Sequence, residues 1–249
     1  MTSRYVALGS SMAAGPGIRP RAAGAPRGSG RSARNYAHVV AEERKLNLVD
    51  VTFSGATTAH VLTERQRSAP PQIEALHGSE ELVTITIGGN DVGYIPLLMA
   101  ASLPGIARKV PRISALLNRE AREEALVQVG DALHAVASEA RRRAPDARIV
   151  FVDYLTMLPP PGTAAPPLSS ADAELGRHVA VRLEELTAAA AQSTGCGIVR
   201  AGRASRDHHA WSGEPWTVGA AWPLPWRPAP FHPNAAGMAA VADLITAEL

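Results

Sequence analysis

A chain of 249 residues with 46% hydrophobic and 19% charged side chains carries enough apolar material for one large domain, residues 1–249, with a full core. Its formal charge of +2 arises from scattered arginines, with Lys45 and Lys109 the only lysines, so the concentrated basic stripe with interleaved aromatics expected of a nucleic-acid binder is missing. The single cysteine, Cys196, excludes an intramolecular disulfide, no apolar run reaches membrane-spanning length, and the opening MTSRYVALGSS shows no apolar leader core; a cytoplasmic protein without stable membrane insertion is expected.

Short apolar runs of strand length occur at Arg4–Leu8, Leu48–Phe53, Leu82–Ile87, Arg148–Tyr154 and Gly197–Ala201. Helical periodicity lies between them. Leu126, Val129, Leu133, Val136 and Ala140 repeat at helical spacing, as do Leu175, Val179, Leu183, Leu186 and Ala190, the latter set preceded by the capping pair Ser169 and Asp172. A last helix starts at Asn234, a suitable N-cap, and places Met238, Val241, Ile245 and Leu249 on one face. Strands that read as continuous apolar runs and alternate with helices predict an α/β fold: five parallel strands in a three-layer α/β/α sandwich.

Ligands of such sheets bind beyond the carboxyl ends of the strands. Three predicted strands end there in unusual residues, Gly9-Ser10-Ser11, Ser54-Gly55-Ala56 and Gly88-Gly89-Asn90-Asp91. A serine on a turn at the head of a helix exposes both its hydroxyl and its N–H, suiting attack and oxyanion binding; Gly55 offers an N–H free of side-chain obstruction, and Asn90 an amide donor. Taken singly, Ser11 reads as a helix cap, Asn90 as a turn residue and His232 as a structural histidine. Their joint occurrence at strand ends and at the start of the last helix favours chemistry. The alternative reading of Leu8–Gly17 as a phosphate cradle lacks the Lys-Ser/Thr of a P-loop and the G-x-G-x-x-G spacing.

GSSMAAG around Ser11, Gly55 after the second strand, GGND with Asn90 and FHPNAAGM with His232, in this order, resemble the four sequence blocks of the SGNH hydrolase superfamily, also called GDSL lipases or esterases. The resemblance runs from Leu8 to Met238. It implies a flavodoxin-like fold and a serine esterase in which Ser11 is the nucleophile, His232 the base, and the Ser11 N–H, the Gly55 N–H and Asn90 the oxyanion hole. It also implies no metal or organic cofactor. Two departures stand out: Ser10 occupies the place of the family's aspartate beside the nucleophile, and Ala229 the place of the aspartate three residues before the histidine. An imidazole base needs a partner on Nδ1, so the Ala229 carbonyl is expected to orient His232, with Asp207 the alternative acid.

The stretch Val92–Met99 is expected to form an acyl pocket or lid, with Tyr94 and Leu97 touching substrate. The four tryptophans fall in one proline-rich loop before His232; Trp211, Trp216 and Trp226 are expected as a wall of the site, against the plainer reading that the rings cap the core. The segment Gly15–Arg34 is expected to be a mobile surface loop. Asp207-His208-His209 has no second cluster at ligand spacing and does not suggest a metal site. The partner is thus a small ester with an apolar acyl group, and a monomer is the simplest assumption. Carbohydrate O-deacetylation, thioester hydrolysis and acyl transfer remain open on the same site, as does a catalytically silent ligand- or partner-binding protein.

Overall fold

The computed structural model describes residues 3–222, 224 and 227–249. Its centre is a sheet of five parallel strands in the order β2-β1-β3-β4-β5, formed by β1 (Arg4–Gly9), β2 (Asn47–Asp50), β3 (Glu80–Thr86), β4 (Arg148–Val152) and β5 (Gly197–Val199). This is the expected fold class. Residues 5–9 of β1, 82–86 of β3 and 149–152 of β4 are buried without alternation, as a sheet covered on both faces requires.

Between the strands lie α1 (Ser11–Ala14), α2 (Tyr36–Arg44), α3 (Thr58–Leu62), α4 (Tyr94–Ala101), α5 (Pro111–Leu116), α6 (Arg119–Arg143), α7 (Ser170–Ser193), α8 (Ala201–Ala204) and α9 (Ala235–Glu248). The helix α2 packs on α9, whereas α3, α6, α7 and α4 pack on one another in succession. Right-handed crossovers that run one way from β1 to β2 and the other way from β3 to β5 put these two groups on opposite faces. The helices α7 and α9 begin as their sequence signals require: the Ser169 side chain accepts from the Asp172 N–H and that of Asn234 from the Gly237 N–H.

Chain order reverses between β1 and β3, where Gly9 is paired with Thr86. With β2 on the other side of β1, the loops after β1, β2 and β3 open at one rim. Gly9 makes the exit from β1 possible: its φ of 150° is glycine territory, and a Cβ there would stand 2.5 Å from the Thr86 carbonyl oxygen. Gln72 grips both polar groups of Gly9, accepting from its N–H at 2.7 Å and donating to its carbonyl at 3.1 Å.

The segment Gly15–Arg34 is tied down rather than loose. Ser32 N–H donates to Ala14 O, Ala22 N–H to Arg31 O, and Ser54 N–H to Ser29 O, while Ile18, Ala22, Ser29 and Ser32 are buried. Its arginines and glycines disguise these anchors in the sequence. The second strand, β2, ends at Asp50, short of its apolar run, yet the run stays beside β1 through Val51 N–H donating to Ala7 O and Phe53 N–H to Gly9 O, while the Asp50 carboxylate accepts from the N–H and hydroxyl of Thr52.

Candidate active site

Ser11 is the first residue of α1, where its N–H has no intrahelical acceptor, and Ser10 precedes it in extended conformation with its N–H donating to Thr86 O at 2.9 Å. Across the rim, His232 is buried just before α9, and its Nε2 lies 2.8 Å from Ser11 Oγ. Its Nδ1 lies 2.7 Å from the carbonyl oxygen of Pro230. A carbonyl only accepts, so Nδ1 carries the proton and Nε2 is left as the acceptor of the Ser11 hydroxyl hydrogen.

The carbonyl that orients His232 is therefore that of Pro230 and not that of Ala229. Phe231 has a φ of 54°, in the left-handed region, and this reversal turns the Pro230 carbonyl back toward the ring two residues on. The conformation is held from outside by Phe231 N–H donating to Val218 O and Val218 N–H donating to His232 O, both at 2.9 Å. Ala229 is engaged elsewhere, its N–H donating to Pro16 O at 3.1 Å, and it lines the cleft. Nor is Asp207 the acid: it borders a separate cavity with Tyr154 and Arg206, and the Nδ1 position it would need is occupied. Burial lowers the pKa of His232, and the hydrogen bond to Pro230 opposes that shift.

Gly55, with a φ of 80°, and Ser11 have N–H groups without an acceptor among the described residues. Asn90 stands in the same cleft and donates one amide hydrogen to Ala56 O at 2.8 Å, which fixes the side chain beside Gly55 and leaves a second hydrogen to give. Asp91 accepts from the N–H and hydroxyl of Thr58 and so clamps the loop after β3 to the start of α3. Sequence reasoning did not assign Tyr154. Its hydroxyl accepts from Gly89 N–H and pairs with Ser10 Oγ, both at 3.0 Å, bridging the loops that carry Asn90 and Ser11. Gly89 is the complement of this ring, since a Cβ there would collide with it.

The cleft over Ser11 has a volume of about 560 Å³, and none of the residues lining it is acidic. Its apolar wall is Ile95, Pro96, Met99, Leu103, Ile113 and Leu116, from α4, α5 and the link between them. Tyr94 and Leu97, the expected contacts, are almost fully buried on the inner face of α4, and Tyr94 borders the separate cavity of about 310 Å³. Trp211 and Trp216 are also displaced from their expected role. The indole N–H of Trp211 donates to Pro166 O and its ring tilts against Phe231, while Trp216 stacks on His208 with ring centroids 4.1 Å apart. Trp226 lies outside the described residues. Among the described tryptophans Trp222 is the one beside the cleft, lining a hollow that shares Met99 and Leu103 with it. Among the described residues no three His, Cys, Asp or Glu side chains gather as a metal site.

Residues 7–240 match the GDSL-like Lipase/Acylhydrolase family. The chain belongs to this family. The GDSL-like chain is 32% identical over 256 residues to Lipase 2 of Streptomyces coelicolor, covering 97% of this chain and 84% of that one, and 29% identical over 239 residues to a lipase of Streptomyces rimosus, covering 94% and 81%. Its fold matches the crystal structure of phospholipase A1 from Streptomyces albidoflavus with a TM-score of 0.84 at 24% identity, both chains covered in full. An extracellular lipase from Streptomyces rimosus matches equally well. The GDSL-like chain is accordingly an ester hydrolase of the lipase/esterase type, and no helix among its described residues is long and apolar enough to cross a membrane.

Proposed function

We propose that the chain hydrolyses carboxylic esters with an apolar acyl group through a Ser11/His232 dyad. The observation that carries this reading is the chain of contacts from the Pro230 carbonyl through the imidazole to Ser11 Oγ at 2.7 and 2.8 Å. His232 Nε2 takes the hydroxyl proton as Ser11 Oγ attacks the ester carbonyl carbon. The N–H groups of Ser11 and Gly55 and the amide of Asn90 receive the negative charge that forms on the carbonyl oxygen. When the tetrahedral centre collapses, the C–O bond to the alcohol breaks and His232 returns the proton to the leaving oxygen. Water, deprotonated by the same imidazole, then attacks the acyl-Ser11 ester; the bond between the acyl carbon and Ser11 Oγ breaks, His232 returns the proton to Oγ, and the acid departs. A neutral carbonyl behind His232 stabilises the imidazolium less than a carboxylate would, so more of the catalysis rests on the oxyanion donors, each worth roughly 3 kcal/mol.

The apolar wall of the cleft supports an acyl group as the part of the substrate that is buried. Lipase names among the relatives support the same class. We read the protein as a single catalytic domain acting as a monomer. For location, the cytoplasm is compatible with one unpaired cysteine, whereas a structural neighbour described as extracellular supplies the opposite reading; fractionation of producing cells separates the two. The catalytic reading is tested by hydrolysis of a soluble short-chain ester: Ser11→Ala is expected to lose turnover while keeping its melting temperature within a few degrees. Retained turnover in that variant contradicts it.

A further inference from the structure

A net charge of +2 conceals a polarised molecule. Apart from Ser11, Ser54, Gly55 and Asn90, the residues lining the catalytic cleft come from three stretches of chain: 12–41, which supplies Pro16; 92–119, which supplies the apolar wall; and 215–242, which supplies Ala229 and His232. These three stretches contain none of the 23 acidic residues and ten of the 25 basic ones, leaving fifteen basic against 23 acidic side chains on the rest of the chain. Arg31, Arg108 and Arg119 pair with Asp50, Asp172 and Glu123, and the other seven, Lys109 and Arg112 among them, are exposed and have no carboxylate partner among the described residues. Lys109 lies in the link from α4 to α5 and Arg112 at the start of α5.

Apolar side chains project beside these cations. Six large apolar residues are exposed among the described residues; of these Met99 lines the cleft, Ile106 and Val110 lie in the link from α4 to α5, and Trp222 lines the adjoining hollow. Ile106 and Val110 lie between Leu103 and Ile113, which both line the cleft, and Ile106 and Trp222 are 82% and 85% exposed. The cleft shares Met99 and Leu103 with a hollow of about 470 Å³ that Trp222 lines, so apolar side chains border both. A patch of this kind at an active-site mouth calls for a partner.

We propose that this face, built from Met99–Leu116 and Trp222, docks on an anionic phospholipid surface and presents the acyl cleft to it. Projecting apolar side chains fit the acyl boundary of a lipid layer, and the exposed cations Lys109 and Arg112 beside them fit its phosphates. A nucleic acid or an acidic protein would use Lys109 and Arg112 but leave Ile106 and Trp222 without a role, and a neutral lipid surface would do the reverse. The proposal rests on the reading of the Ser11 cleft as the ester site.

The test is sedimentation of the Ser11→Ala protein with phosphatidylcholine vesicles and with vesicles containing phosphatidylglycerol, at low and high salt. Ser11→Ala leaves the vesicles intact, and Ile106→Ser, Lys109→Glu with Arg112→Glu, and Val127→Ser are added to it. Binding is expected with the anionic vesicles, falling about tenfold or more in the charge-reversed protein and severalfold with Ile106→Ser. Val127→Ser, at an exposed apolar position on α6 away from the cleft, is expected to bind as the parent does. Absence of binding, equal binding to both vesicles, or loss on charge reversal with no effect of Ile106→Ser overturns the proposal, the last in favour of a general polyanion surface. Hydrolysis of a soluble short ester, measured with Ser11 present, is expected to be unchanged by the Ile106, Lys109 and Arg112 substitutions. Absence of vesicle binding by the Ser11→Ala protein, with ester hydrolysis intact when Ser11 is present, therefore defeats the docking surface alone, whereas vesicle binding without any ester hydrolysis defeats the catalytic reading instead.

Discussion

His232 works as a base only while neutral, and its burial lowers the pH at which it gains a proton. The acid limb of kcat/KM is therefore expected to have its midpoint below the ordinary histidine value of about 6.5, with activity lost as pH falls through it. Since Pro230 and not Asp207 meets Nδ1, Asp207→Asn is expected to leave both kcat and this midpoint unchanged; a limb above 6.5, or one that moves in Asp207→Asn, would contradict the assignment. Tyr154 acts through other residues, holding Gly89 N–H and Ser10 in register. Tyr154→Phe keeps the ring against Gly89 and removes only the hydroxyl bridge, so it is expected to lower kcat about tenfold with KM nearly unchanged, a modest share of the 10²–10³ that loss of a direct oxyanion donor costs. An effect on KM alone would place Tyr154 in binding. At this scale the sequence was informative for Ser11, Gly55, Asn90 and His232, because each sits at a strand end or a helix start. It was silent on Pro230, because a non-glycine residue such as Phe231 gives no sign that it will adopt a positive φ.

The helices α4 and α5 form the wall against which an acyl chain would lie. Tyr94, Leu97, Leu98 and Ala101 fill the inner face of α4, while Ile95, Pro96 and Met99 look into the cleft. An unbroken apolar run shows that a helix is buried but not which face meets the core, because no polar stripe sets its phase; this is why Tyr94 and Leu97 read as substrate contacts from sequence. The same limit holds for the tryptophans, since a proline-rich loop has no period from which a ring's direction can be read. The strands and long helices were legible, because parallel strands buried on both faces and the caps at Ser169 and Asn234 leave local signatures. Ile113→Trp enlarges a side chain on the cleft wall, and its expected effect is a shift of preference among p-nitrophenyl esters toward shorter acyl chains, with the acetyl ester little affected. An unchanged chain-length profile would mean that the acyl group lies elsewhere.

At the scale of the whole molecule, one buried carboxyl among the described residues has an oxygen without a hydrogen-bond partner. Asp153, 3% exposed at the end of β4, accepts from Gly202 N–H at 2.7 Å through Oδ1, whereas Oδ2 has no partner. Burial pushes its pKa up to about 7, with the carboxylate of Glu184 adding to the shift and Arg200 and Arg206 opposing it. In the unfolded chain the group ionises near 3.9, so between about pH 4 and 7 the folded state holds the extra proton and stability falls as pH rises. At roughly 1.4 kcal/mol per pKa unit the loss is a few kcal/mol, complete above pH 7. Asp153→Asn preserves an acceptor for Gly202 and removes the ionisation. Its gain in melting temperature over the parent is expected to be larger at pH 8 than at pH 5, and an equal or reversed difference would show that Asp153 is ionised at little cost.

The central claim is that Ser11 is an activated nucleophile whose only base is His232, oriented by a backbone carbonyl. Intact mass after exposure to a fluorophosphonate tests it most directly, comparing the parent with Ser11→Ala, His232→Ala and Asp207→Asn. One adduct per chain is expected in the parent and in Asp207→Asn, with none in Ser11→Ala and only slow labelling in His232→Ala. A folded parent that stays unlabelled, or an adduct that persists in Ser11→Ala, would contradict the account.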